Sequence, residues 1–293
     1  MKTDQSIQLY RAWLKDRERS PGTIEKYTRD LARFFRETGG AAPPQPSVPA
    51  DGPAPLPAPS KEAVAAWRDS LAARGYSAAS VNAMLAAVNG YQDFCGNPAG
   101  KAKPLKRQRR IFSDAGRELS RAEYFRLLAA ARQAGRKRTL LILQTLCSTG
   151  IRVSELPFIT VEAVKKGRAA IRCKGKCREI LLPAQLCKRL ERWCSRLRIH
   201  AGPVFLTRTG KPLDRVAVWK AMKALCKLAG VAREKVFPHN LRHLFARTFY
   251  GIEKNLSKLA DLLGHSSIET TRIYIMESGT EHQRLLEQMH LLL

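Results

Sequence analysis

Apolar positions recur at helical spacing along most of the chain. Leu9, Trp13 and Leu14 make one stripe, and Ile24, Tyr27, Leu31, Phe34 and Phe35 make another. Both follow the period of an amphipathic helix. Ser20-Pro21 separates them, and proline fits a first helical turn. The pattern predicts helices across 7–37, then at 60–74 through Trp67 and Leu71, then at 77–94 with Val81, Leu85, Val88, Tyr91 and Phe94 on one face. Gly96-Asn97-Pro98 stops the last of these. Helical patterning resumes at 120–134, 137–149, 184–198, 214–229, 240–250, 255–264, 267–275 and 280–292, with a further turn of structure at 160–164. Only Ala169 to Pro183 reads as β, with Ala170–Cys173 and Arg178–Leu182 flanking Lys174-Gly175-Lys176 as a hairpin. The expected fold class is mostly α with one small β-hairpin.

Two stretches break the pattern. Residues 41–59 hold eight prolines (43, 44, 46, 49, 53, 55, 57 and 59), a composition that predicts an extended loop. Lys101 to Arg110 is basic at Lys101, Lys103, Lys106, Arg107, Arg109 and Arg110, and contains a proline. The expected organisation is a helical domain at 1–100 interrupted by the Pro-rich insertion 41–59, a basic linker at 101–111, and a second domain at 112–293.

Composition narrows the partners. A length of 293 residues suits two domains, and 44% hydrophobic residues can fill their cores. No apolar run approaches the ~18–20 residues of a membrane span. Met1 to Gln8 is polar, unlike a signal peptide, so a cytoplasmic protein is expected. Lys and Arg number 52 against 25 Asp and Glu, a net charge of +27. Such a field draws polyanions, and DNA or RNA is the expected partner. An anionic membrane surface is the weaker alternative, because the basic residues are spread through folded-looking segments rather than one helix or tail. The seven cysteines follow no disulfide framework and are expected as free thiols. Cys173 and Cys177 bracket Lys-Gly-Lys, but no second Cys/His pair stands at a zinc spacing, so no metal is expected. Gly210-Lys211-Pro212 is not a phosphate loop, so no nucleotide cofactor is expected.

The chemistry lies in the second domain. His239-Asn240-Leu241-Arg242-His243 sets two histidines four apart, but Asn240 stands where a zinc protease needs glutamate. His239 and Arg242, three apart, share a helix face and suit a phosphate: one moves a proton, the other holds charge. His265 follows His239 by 26 residues, and Tyr274 follows His265 by nine.

Four segments carry a resemblance. Thr149-Gly150-Ile151-Arg152-Val153-Ser154-Glu155-Leu156, the hairpin Cys173-Lys174-Gly175-Lys176, Pro238-His239-Asn240-Leu241-Arg242-His243, and Leu263-Gly264-His265 through Arg272-Ile273-Tyr274 resemble, in order and spacing, the motifs of the tyrosine recombinase (phage integrase, Xer-like) family. The match extends over 112–280, and Thr23-Ile24-x-x-Tyr27-x-x-Asp30-Leu31 resembles the family's core-binding domain more loosely. The resemblance implies a two-domain DNA clamp that cleaves and rejoins duplex DNA through a 3′-phosphotyrosyl link on Tyr274, leaving a free 5′-hydroxyl and needing neither metal nor ATP. A free tyrosine titrates near ~10, so its proton must be taken or its anion stabilised. On this resemblance His239 is the general base, Arg152 and Arg242 hold the non-bridging oxygens, His265 hydrogen-bonds the phosphate, and Lys174 protonates the leaving oxygen, with Lys176 as its alternative. Glu155 orients Arg152 or His239, or is a helix-surface acid. The six basic residues of 101–110 contact DNA, or form a solvated charge run.

The resemblance also implies dimers on each site, tetramers in synapsis, and a protomer-docking helix at about 280–293 bearing Leu285, Leu286, Met289, Leu291 and Leu292, unless that helix folds back on its own domain. The family implies a prokaryotic, nucleoid-associated setting such as that of a mobile element's integrase, and with no arm-binding domain before Ile7 only core sites are expected to be read. A topoisomerase-like relaxer and a non-catalytic DNA-binding protein of the same fold are the alternatives, with a metal-dependent nuclease behind them.

Overall fold

The computed structural model describes residues 2–39, 58–106, 115–173, 176–265, 267–275 and 287–289. The protein is mostly helical with a single two-stranded sheet among these residues. It divides into two compact units, Met1–Arg109 and Arg110–Leu293.

The first unit is built from α1 (Lys2–Asp16), α2 (Pro21–Glu37), α3 (Lys61–Ala73) and α4 (Ala78–Phe94). The break expected at Ser20-Pro21 separates α1 from α2: the Ser20 hydroxyl accepts from the Thr23 N–H, and proline fills the first turn. Ser60 and Ser77 cap α3 and α4 in the same way. The apolar stripes meet in one core of Tyr10, Leu14, Leu31, Phe34, Trp67, Leu71, Leu85 and Tyr91. Most of the Pro-rich stretch 41–59 lies outside the described residues.

Residues 101–106 are not free of this unit. Asn82 donates to the Leu105 carbonyl and accepts from its N–H at 2.9 and 2.8 Å. Asn89, two turns along α4, does the same for Ala102 at 3.0 and 3.2 Å. Two side chains on one helix face thus pin an extended segment through alternate hydrogen bonds. Lys101 is ion-paired with Asp93, while Lys103 and Lys106 are exposed. Arg107, Arg109 and Arg110 lie outside the described residues.

The second unit opens with α5 (Arg121–Gln133) under a Ser120/Glu123 capping box, followed by α6 (Lys137–Thr149), which ends on Gly150 at φ +64°. A 3₁₀ segment, Val153–Phe158, leads to α7 (Val161–Lys166). Strands β1 (Arg168–Cys173) and β2 (Lys176–Leu181) pair antiparallel, from Arg168 opposite Leu181 to Cys173 opposite Lys176. Lys174 and Gly175, between the two strands in sequence, lie outside the described residues. Helices α8 (Ala184–Leu197), α9 (Arg215–Lys223) and α10 (Cys226–Ala229) follow, then α11 (Pro238–Ile252), α12 (Leu256–Leu263) and α13 (Ile268–Arg272).

Two expected elements differ. The helix at 214–229 is two pieces, because the hydrogen-bond ladder tightens at Leu225, whose N–H bonds Met222, and Leu225 and Cys226 turn inward. The helix at 267–275 stops at Arg272. Tyr274 sits beyond it in a turn closed by its own N–H to the Thr271 carbonyl at 2.9 Å. The expected last helix lies outside the described residues except at 287–289. No described helix is long and apolar enough to cross a membrane.

Candidate active site

Proline at the start of α11 sets its first turn, which carries His239. Arg242 and His243 follow at helical spacing, so all three point from one face. Arg242 is 1% exposed, an extreme position for a permanent charge. It is held by backbone rather than by carboxylates. One Nη donates to the Gly150 carbonyl at 2.5 Å and the other to the Leu263 carbonyl at 2.7 Å. Both acceptors are C-terminal carbonyls, of α6 and α12, where the helix dipole is negative and favours a cation. Burial, and then the charge of Arg152, pull the Arg242 guanidinium down to about 10.

The second Nη of Arg242 also lies 2.9 Å from Nε2 of His265. Arginine has no acceptor, so Nε2 carries the lone pair and Nδ1 the proton. That Nδ1–H donates to the Thr271 hydroxyl at 2.8 Å. Both ring nitrogens of His265 are therefore engaged inside the protein, and a bond from Nε2 to a phosphate requires a proton or partner exchange. Desolvation and the Arg242 charge hold His265 down near about 4. Thr271, fully buried, links His265 through its side chain to Tyr274 through its carbonyl. The sequence reading gave Thr271 no role.

Tyr274 is 6% exposed and ringed by imidazoles. Its centroid lies 5.3 Å from that of His239, edge-on, and 5.2 Å from that of His265. His243 is nearer, stacked at 4.3 Å and 27°. The Arg242 guanidinium carbon is 5.8 Å from the same ring. His239 is held below the ordinary imidazole range by burial and by the Arg242 and Arg152 charges, and His243 is pushed down to about 4 by burial and its neighbour His239. All three rings are neutral at pH 7. A neutral imidazole can accept a proton from a phenol; a cationic one cannot.

Arg152 follows the α6 cap, with its side chain 44% exposed. With His239 and Arg242 it lines a cleft of about 750 Å³, together with Arg215, Val216 and Trp219 of α9. Glu155 is no helix-surface acid. It is 4% exposed in the 3₁₀ segment and accepts from the Arg152 N–H at 2.7 Å and from its guanidinium at 3.0 Å. Its other partner is Arg178 of β2 at 2.5 Å, not His239.

The structure thus brings together Arg152, Glu155, His239, Arg242, His265 and Tyr274. Lys174 lies outside the described residues. Lys101, Lys103 and Lys106 belong to the other unit. His243, which the sequence sets one turn from His239, packs on Tyr274 without having been expected at the site. Arg178 had a weak signal in the sequence, sharing strand parity with Ile180 and Leu182, which are buried.

The phage integrase family's sequence model matches residues 117–281. The tyrosine recombinase XerA of Pyrococcus furiosus is 27% identical over 98% of this chain and 94% of its own length. Among solved structures, the XerH site-specific recombinase bound to its difH substrate superposes with a TM-score of 0.68 at 21% identity, covering 97% of this chain and 84% of that one. A lambda integrase tetramer bound to a Holliday junction gives 0.67 at 18% identity, over 92% of this chain and 76% of that one. At such identities the two structures speak for the fold. The family model spans more than half of the chain and contains every residue around Tyr274, so the chain belongs to the phage integrase family, the tyrosine recombinases that break and rejoin DNA.

Proposed function

We propose that this chain is a site-specific recombinase of duplex DNA in which Tyr274 attacks the scissile phosphate. The phenolate oxygen bonds to phosphorus, the 5′-oxygen leaves as a hydroxyl, and the DNA stays joined to the protein through a 3′-phosphotyrosyl link. Bond energy is kept in that link, so rejoining by the reverse attack needs no nucleotide. The observation that carries this reading is the cage of imidazoles around Tyr274, with the buried Arg242 against it.

His239 takes the phenolic proton. Arg152 and Arg242 hold the non-bridging oxygens as charge grows on them. His265 fixes Arg242 and reaches the phosphate by exchanging its partners. Lys174 protonates the leaving oxygen. Glu155 orients Arg152. Lys103 and Lys106, with the arginines that follow, bind phosphates. The functional unit is a dimer on each site and a tetramer in synapsis, in a prokaryotic, nucleoid-associated setting, with the segment after 280 docking on the neighbouring protomer.

A nicked duplex carrying the recombination site tests the reading, because the leaving strand diffuses away and the covalent product accumulates. Adduct is expected in chelator and without nucleotide, and is expected to vanish in Tyr274→Phe. An adduct that persists in that variant moves the nucleophile elsewhere.

A further inference from the structure

Arg178 lies on β2 opposite Ile171, with its side chain on the same strand face as the buried Ile180. It is 16% exposed. Its guanidinium spans two elements. One Nη donates to Glu155 at 2.5 Å and the other to the Leu262 carbonyl at 3.0 Å, at the end of α12. The side chain lies over Gly264, where a Cβ would come within 2.4 Å of the Arg178 Cδ. Leu263, between those two residues, supplies the carbonyl that holds Arg242.

We infer that Arg178 is a positioning residue that fixes Arg152 and the Leu262–His265 segment relative to each other. The inference rests on the proposed role of Arg152 at the phosphate. Glu155 stands between two guanidinium groups. One of its oxygens accepts from both Arg178 and the Arg152 N–H, and the other accepts from the Arg152 guanidinium. Arginine has five N–H donors in a planar fork. While Arg178 shares the carboxylate, Arg152 is tethered through one nitrogen and keeps donors for a phosphate oxygen. Without Arg178, a buried carboxylate faces Arg152 alone and draws it inward, away from the cleft. The Leu262 carbonyl loses its donor in the same step, and Arg242 and His265 lose a fixed support.

The test is the single-turnover rate of adduct formation at saturating DNA, on a nicked site whose scissile phosphate is either normal or a methylphosphonate. The methyl group removes the charge that Arg152 would meet. Arg178→Ala is expected to slow adduct formation on the normal phosphate by about 100-fold, the scale of a small misplacement at a reacting centre. DNA affinity is expected to be unchanged. On the methylphosphonate the defects of both Arg178→Ala and Arg152→Ala are expected to shrink, which general loss of structure would not produce. Rescue of Arg152→Ala without rescue of Arg178→Ala overturns the inference. No rescue of Arg152→Ala overturns the phosphate role beneath it. If Arg178→Ala does not fold, Arg178→Lys, which keeps the charge but not the fork, takes its place; a wild-type rate from it overturns the inference.

Discussion

At the scale of single residues, the site is set by where charge is refused. Three imidazoles pack around one phenol beside two guanidinium groups, and desolvation with like charge keeps them neutral. The unfolded chain's histidines take up protons near pH 6.5, whereas His243 and His265 in the folded site refuse them until about 4. Between those values the unfolded state binds more protons, so acid favours unfolding. The melting temperature is expected to fall as pH drops from 6.5 towards about 4, with nothing gained above 6.5 from these groups. Fluorescence melts across that window check the sign. His243→Phe keeps a ring against Tyr274 and removes one titrating group, so its melting curve is expected to depend less on acid. An unchanged dependence would assign the effect to other groups. Cleavage is expected to persist further into acid than an ordinary imidazole base would allow, because His239 is shifted in the same direction, and a pH profile of adduct formation reads this.

At the scale of elements, capping geometry does what side-chain chemistry alone does not. Gly150 and Gly264 end α6 and α12 in the left-handed region, at the two places where backbone carbonyls meet Arg242. A Cβ at Gly150 would lie 2.4 Å from the Phe245 ring, whereas one at Gly167, also left-handed at φ +69°, meets nothing within 4 Å. Gly167→Ala is expected to cost about 1–2 kcal/mol, the left-handed conformation alone. Gly150→Ala is expected to cost more and to slow cleavage, and Phe245→Ala is expected to relieve part of the extra cost. Urea denaturation of the wild type, the three single variants and the Gly150→Ala/Phe245→Ala double variant measures this; equal losses at the two glycines would remove the steric argument.

Much at this scale was legible in the sequence. Period and caps placed α2 to α6 closely, and the motifs that resemble those of a known family marked Arg152, Glu155, His239, Arg242, His265 and Tyr274 as residues that meet. Tertiary partners were not legible, because nothing local to Arg178 points to a carbonyl 84 residues away. Nor does the sequence say that Glu155 is buried, since a glutamate three residues after an arginine reads equally well as a solvated helix pair. The turn at Tyr274 was missed for a similar reason: helical periodicity continues through residues that tertiary contacts draw out of the helix.

At the scale of the whole molecule, a net charge of +27 supplies general affinity for phosphate but no choice of sequence. Charges already paired within the protein contribute less. Lys103 and Lys106 are exposed, whereas Lys101 is bound to Asp93. Removing Lys103 and Lys106 together is expected to lower the slope of log affinity against log salt by about 2, uniformly across DNA sequences, and removing Lys101 by less. Binding titrations from about 50 to 200 mM salt read the slopes. Equal slopes in all variants would take the segment out of the interface.

The backbone seat of Arg242 has a further consequence, for inheritance. Peptide carbonyls do not change when a codon does. The least tolerant charge of the site is thereby insured against most substitutions in α6 and α12, and answers only to changes that bend the chain. The exposed Arg215, Val216 and Trp219 along the cleft are under no such constraint. Changes along that face of the cleft can therefore accumulate without disturbing the seat of Arg242.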